Sequence, residues 1–137
     1  MIQLSIAGIR FAILALVPYW LLLFIGTHIP TKSMPKIADL DKLIHASAYA
    51  GLAFLLVWAI PPRLYRGARR YLLAAILAVV YGVFDEVSQM LVGRTADVMD
   101  WLYDCLGVCI GLFLFFVVRQ AWCHWHVGNG KAKTANL

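Results

Sequence analysis

The sequence predicts an all-α fold: an integral membrane bundle of four transmembrane helices with both termini in the cytoplasm. Three observations lead there. Of 137 residues, 63% are hydrophobic and only 14% are charged, where a soluble domain carries about a quarter charged residues. The apolar residues gather into four long runs, and that much apolar surface has to face lipid. The basic residues lie in the short segments between the runs and divide unequally between the two sides, which is how membrane topology is encoded.

The first run, 11–27, is uncharged for 17 residues behind Arg10. It starts as a secretory signal does, but it is longer than a typical signal core. His28, Ile29 and Pro30 follow it in place of a small-x-small cleavage site. A retained span over 10–28 is expected. The second run, 43–62, holds 20 residues interrupted only by His45. That is enough to cross a hydrocarbon core of about 30 Å at about 1.5 Å per residue. Pro61 and Pro62 end it, for a span of 43–61.

The third and fourth runs, 71–84 and 105–118, have 14 uncharged residues each. Each reaches the roughly 20 residues of a full span only if carboxylates lie below the membrane surface. This gives spans of 71–91 and 100–119 with a tail of 120–137, and makes Glu86 and Asp104 the buried pair. Charges at such depth cost several kcal/mol, on the order of 3 or more, and mark functional interiors. The competing account starts the third span earlier, with Arg69 and Arg70 snorkelling and the acids in the headgroups. Residues 1–137 form a single domain on either account.

Arg10, Arg63, Arg66, Arg69, Arg70, Arg119, Lys131 and Lys133 fall on one side of the membrane. Lys32, Lys36, Lys42 and Arg94 fall on the other, together with all seven acidic residues. By the positive-inside rule both termini and the 63–70 loop are cytoplasmic, in a multi-pass plasma-membrane protein. The net charge of +5 is thus distributed as topology and not as a nucleic-acid-binding face. Three cysteines, Cys105, Cys109 and Cys123, imply no disulfide framework.

With this topology polar groups from three helices reach one depth. Asp41, His45 and Tyr49 recur every fourth residue and share a face of the second span. Tyr81, Asp85 and Gln89 share a face of the third, with Glu86 adjacent, and Asp97, Asp100 and Asp104 descend into the fourth. Arg94, in the connecting loop, is placed either to pair with Asp97 or Asp100 or to hold an anionic ligand bidentately. The candidate pocket is therefore Asp41, His45, Tyr49, Glu86, Gln89, Arg94, Asp97, Asp100 and Asp104, opening to the extracytoplasmic side. The acids and His45 are donors a divalent cation accepts, but no spacing matches a metal motif, so neither a metal nor a cofactor is expected. Gly107 and Gly111 form a small-xxx-small pair that admits a close helix, of this chain or of a second copy in a homo-oligomer. Trp122 and Trp125, around Cys123, His124 and His126, are expected to anchor the cytoplasmic interface.

Two segments carry a family resemblance. DKLIHASAYAGLAF resembles the Asp-Lys-x-x-His-x-x-x-Tyr-x-x-Leu block of VanZ-like membrane proteins. DEVSQMLVGRTADVMDWLYDCLG resembles their Glu-x-x-Gln, Gly-Arg, Asp and Asn-x-x-Gly block. Asp41, Lys42, His45, Tyr49, Glu86, Gln89, Gly93, Arg94, Asp97, Asp100 and Gly107 fit position by position. Asp104 stands where the family usually has asparagine, an acid in place of an amide, which calls for compensation by a proton, by Arg94 or by a cation. The resemblance implies a polytopic cell-envelope protein; the founding member is associated with low-level resistance to teicoplanin, a lipid-bearing glycopeptide.

Three functional readings follow. In the first the pocket binds or acts on a membrane lipid, a lipid-linked envelope precursor or an amphiphilic glycopeptide antibiotic. In the second the chain is an enzyme using Glu86 or His45 as general acid or base on an anionic lipid. In the third the buried polar groups only lock helices together in a structural or assembly protein. Topology is directly testable with Lys36→Cys, Gly67→Cys and Thr95→Cys, each in a cysteine-free background. An impermeant thiol reagent should label positions 36 and 95 in intact cells and reach 67 only after lysis; preferential labelling of 67 would reverse the orientation.

Overall fold

The computed structural model describes residues 5–6, 9–29, 38–62, 65–93 and 97–134, with side chains over 10–29, 40–62, 65–93 and 97–126. The described residues fold into four α-helices: α1 Phe11–Thr27, α2 Ala38–Ala59, α3 Ala68–Gln89, and α4 Val98–Thr134. A 3-10 turn, Met90–Val92, extends α3. Ahead of α1, two-residue strands Ser5–Ile6 and Ile9–Arg10 pair antiparallel. The expected all-helical membrane architecture is the one observed. α2, α3 and α4 each contain a stretch long and apolar enough to cross a membrane, Leu40–Ala59, Ala68–Val92 and Val98–His126, while α1 is apolar but shorter at 17 residues.

α2 opens at Ala38, ahead of the expected 43, and two further boundaries differ from the sequence reading. α3 opens at Ala68, so Arg69 and Arg70 lie inside it. Arg70 is buried, donates to the Trp58 carbonyl at 3.4 Å and rests 5.2 Å above the Phe115 ring. The earlier start holds, and yet Glu86 and Asp104 are buried as well; the two accounts of this span are not exclusive. The second difference is α4, which does not stop at 119 but continues to Thr134 through residues assigned to the tail. From Phe116 to His126 it is exposed throughout, so this part of the helix projects beyond the bundle.

The ends of the helices sort by chemistry. At one end Arg10 donates to the carbonyls of Ala59 at 2.6 Å and Trp58 at 3.1 Å. Together with Arg70 it satisfies the last turn of α2 and complements its dipole. Arg66, Arg70 and Arg119 line a cavity of about 410 Å³ at that end. At the other end lie the histidines and carboxylates described below. α2 and α4 therefore run parallel, and α1 and α3 run the opposite way.

The α2–α4 seam is closely packed. A Cβ added to Gly107 would collide with the Ala46 carbonyl, and one added to Gly111 with the Ala50 carbonyl. One turn further, Phe54 meets Phe115 edge-on at 5.3 Å. The constant offset between partners means that the small residues of both helices are aligned every fourth position, which lets the backbones touch. Gly107 and Gly111, left open between an intrachain and an intersubunit role by sequence, are buried against α2 of the same chain. They close the bundle. α1 joins α2 through the Tyr19 hydroxyl, which donates to the Ala48 carbonyl at 2.9 Å and fills the space above Gly51.

Outside these contacts the helices are apolar and exposed, with Leu22, Leu72, Val80, Phe113 and many others facing outward, as a lipid-facing surface requires. Gly107→Val or Gly111→Val should force α2 and α4 apart and destabilise the protein by about 1–3 kcal/mol, the usual cost of overpacking. Thermal unfolding in mild detergent measures this as a lowered midpoint. Gly26→Ala is the matched control, since nothing lies within 4 Å of its added Cβ; its midpoint should stay the same or rise slightly.

Candidate functional site

The polar end holds two adjoining clusters, separated by which side of α3 they occupy. Asp85 and Glu86 are sequence neighbours, so their side chains leave the helix about 100° apart. Asp85 turns toward α1, and Glu86 toward α2 and α4.

The Asp85 cluster is fully hydrogen-bonded. Asp85 is 0% exposed. Its Oδ1 accepts from the Thr27 hydroxyl at 3.0 Å and the Tyr81 hydroxyl at 3.4 Å, and its Oδ2 accepts from the Gln89 amide at 3.1 Å. The His28 ring lies alongside, with Nδ1 3.8 Å from Asp85 Oδ1 and Nε2 3.0 Å from the Ser88 hydroxyl. Gln89, placed in the pocket by sequence, is buried and occupied in holding Asp85.

The second cluster is less satisfied. His45 on α2 and Asp104 on α4 are buried, 3.0 Å apart from Nδ1 to Oδ1. Glu86 on α3 is also buried, and its Oε2 accepts from the Asp97 backbone amide at 3.0 Å. Glu86 Oε1, Asp104 Oδ2 and the Tyr49 hydroxyl have no hydrogen-bond partner among the described residues. Tyr49 is 0% exposed and stacks on Tyr81 with ring centroids 6.1 Å apart, so it stands between the two clusters. His45, Glu86 and Asp104 each bring one ligand-type atom within 4.8 Å of the others; Asp41, His45 and Asp100 do the same nearer the surface.

The structure thus brings together His45, Tyr49, Glu86 and Asp104 in one buried group, with Asp41 and Asp100 half-buried above it. Asp97 is exposed and serves as a cap. Its Oδ1 accepts from the Met99 amide at 2.8 Å at the start of α4, while its own amide ties that start to Glu86. Arg94 lies outside the described residues. The sequence reading missed Thr27, His28 and Ser88, and gave Asp85 no role beyond sharing a face. The Thr-His pair closing the first apolar run was the available signal, because polar residues at that depth need partners. At the opposite end Trp122 and Trp125 are exposed, with Trp122 against His126 at 4.7 Å. Both groupings of three metal-type ligands among the described residues lie at the polar end.

Fold and site together define a polytopic membrane helix bundle with acids and histidines buried at one end. The chain belongs to the VanZ/LLP1 family, whose model matches residues 5–119 and so covers the whole bundle. No curated protein and no solved structure matches it.

Asp85 is the acceptor on which α1 and α3 meet at this end. Asp85→Ala should take the acceptor from the buried Gln89 amide and the half-buried Tyr81 hydroxyl and cost about 2 kcal/mol, given about 1–3 kcal/mol for a buried unsatisfied group. Asp85→Asn, which keeps one acceptor oxygen, should lose less. Denaturant-induced unfolding in micelles would rank the two.

Proposed function

We propose that this VanZ-like protein resides in the plasma membrane with its polar end outward, where it binds a membrane-associated amphiphile of the cell envelope. The ligand class comprises lipids, lipid-linked wall precursors and lipid-bearing glycopeptides. The observation that carries the reading is the buried group His45, Glu86 and Asp104. Three helices deliver it to one end of the bundle, and two of its carboxylate oxygens are unpartnered among the described residues. Bundles that only need locking satisfy their buried polar atoms; unpartnered ones favour a ligand.

Two further features support this reading. An apolar groove of about 580 Å³ runs along α2 and α4 from Leu43 and Ala46, at the level of His45, to Leu55 and Leu114. Such a groove suits an acyl chain whose headgroup lies at the polar end. The orientation rests on the arginines: Arg10, Arg66, Arg70 and Arg119 gather at the opposite end, which the positive-inside rule assigns to the cytoplasm.

The family resemblance adds teicoplanin as a test ligand. Expressed in a susceptible Gram-positive host, the wild-type chain should raise the inhibitory concentration of teicoplanin more than that of vancomycin, which lacks the lipid anchor. Glu86→Gln at equal membrane abundance should abolish the difference. Unchanged susceptibility in a well-expressed strain would remove the glycopeptide from the ligand class. Protection that survives Glu86→Gln, His45→Ala and Asp104→Asn together would move the function away from this cluster and leave these residues a structural role.

A further inference from the structure

We propose that His45, Glu86 and Asp104 form a binding site for one divalent transition-metal ion, with zinc as the best match and manganese as the alternative. The site deepens the reading above, since the metal would be what draws an anionic headgroup to the polar end. It has observations of its own.

The first is geometry. The three residues come from α2, α3 and α4 and place one ligand-type atom each within 4.8 Å of one another. His45 Nδ1 and Asp104 Oδ1 are already 3.0 Å apart. Ligands held at about 2.1 Å from a metal lie roughly 3.0–3.4 Å from each other, so that pair already stands at a ligand spacing, and a Glu86 oxygen lies within 4.8 Å of both. The second is the state of the donors. Glu86 is 6% exposed and Asp104 1%, and each has one carboxylate oxygen unpartnered among the described residues. The third is charge. Two carboxylates and one imidazole at a depth where ions are poorly solvated are unbalanced whatever the protonation of His45. A divalent ion with two carboxylates and a neutral imidazole sums to zero, which removes that penalty.

The donor set selects the ion. An imidazole nitrogen beside two carboxylates suits zinc and manganese, whereas magnesium and calcium prefer all-oxygen sites. On binding, the ion takes the place of the Nδ1 proton: an imidazolium releases it to solvent and a neutral Nδ1–H ring shifts it to Nε2, so His45 ligates as a neutral imidazole in either case. Three protein ligands leave a coordination position open, the arrangement of zinc sites that meet a water or a ligand rather than those that only staple a fold. A phosphate or carboxylate oxygen of a headgroup is the kind of donor that would complete it. No linear motif announces the site, because its ligands are separated by whole helices and converge only through the α2–α4 seam.

The test uses the full chain, purified without a polyhistidine tag in lipid nanodiscs, stripped with chelator and titrated with zinc or manganese. One ion per chain by elemental analysis is expected, with a raised unfolding midpoint. Cobalt substitution should add visible absorption bands of the weak intensity typical of nitrogen and oxygen ligands. Glu86→Gln, Asp104→Asn and His45→Gln should each lower affinity at least tenfold, a larger loss than Asp41→Asn or Asp100→Asn causes. A wild-type chain that takes up no ion overturns the proposal without reference to any variant's folding. Loss of binding in Asp41→Asn and Asp100→Asn with Glu86→Gln and Asp104→Asn unaffected overturns the assignment in favour of the shallower acids. Metal uptake with unaltered antibiotic susceptibility would uphold the site while rejecting the glycopeptide. Glu86-dependent protection in a chain that binds no metal would do the reverse.

Discussion

Everything at the polar end depends on how closely α2 and α4 approach. The Ala46 and Ala50 carbonyls lie where the side chains of residues 107 and 111 would otherwise stand. Association within a bilayer cannot draw on the hydrophobic effect, because lipid is as apolar as the helix it would leave; packing and polar contacts have to supply the stability. The glycines let two backbones make those contacts directly. At the polar end of this seam Asp104, three residues before Gly107, meets His45, the residue before Ala46, at 3.0 Å. A seam wider by one methyl group would separate them past hydrogen-bonding reach. Chemistry and packing therefore share one seam.

Membrane character and helix content were legible in the sequence because they follow from local composition: uncharged runs of span length have few other interpretations. The depth of Glu86 and Asp104 was legible for a related reason, since the runs beside them were too short to cross without them. Asp85 was not. Its importance comes from Thr27 and His28, 58 and 57 positions earlier, and nothing in the spacing along α3 distinguishes it from Glu86. The length of α4 was also hidden. Its last turns contain lysines, glycine and asparagine, which look like a solvated tail by hydropathy, although the same stretch continues the helix.

The two ends of the bundle solve opposite electrostatic problems. At one, guanidinium groups of Arg10 and Arg70 cover the carbonyls that α2 cannot satisfy itself, so positive charge meets the negative end of a dipole. At the other, Asp97 caps the start of α4 and its amide secures Glu86, so negative charge meets a positive end. Residues that sequence alone assigns to topology also hold the helices in place. A positive-inside distribution and a well-capped bundle are compatible here because both demand cations at the end of α2.

The shortness of α1 has a consequence for the lipid around it. Seventeen residues extend about 25 Å, against a hydrocarbon thickness of about 30 Å. A helix so mismatched is accommodated by local thinning of the bilayer or by drawing its polar ends below the headgroup plane. Arg10 marks one such end, and Thr27 and His28 the other, bonded to Asp85 and Ser88. If α1 spans the membrane, the bilayer beside it would be thinned into a dimple, with headgroups drawn toward the Thr27–His28 end.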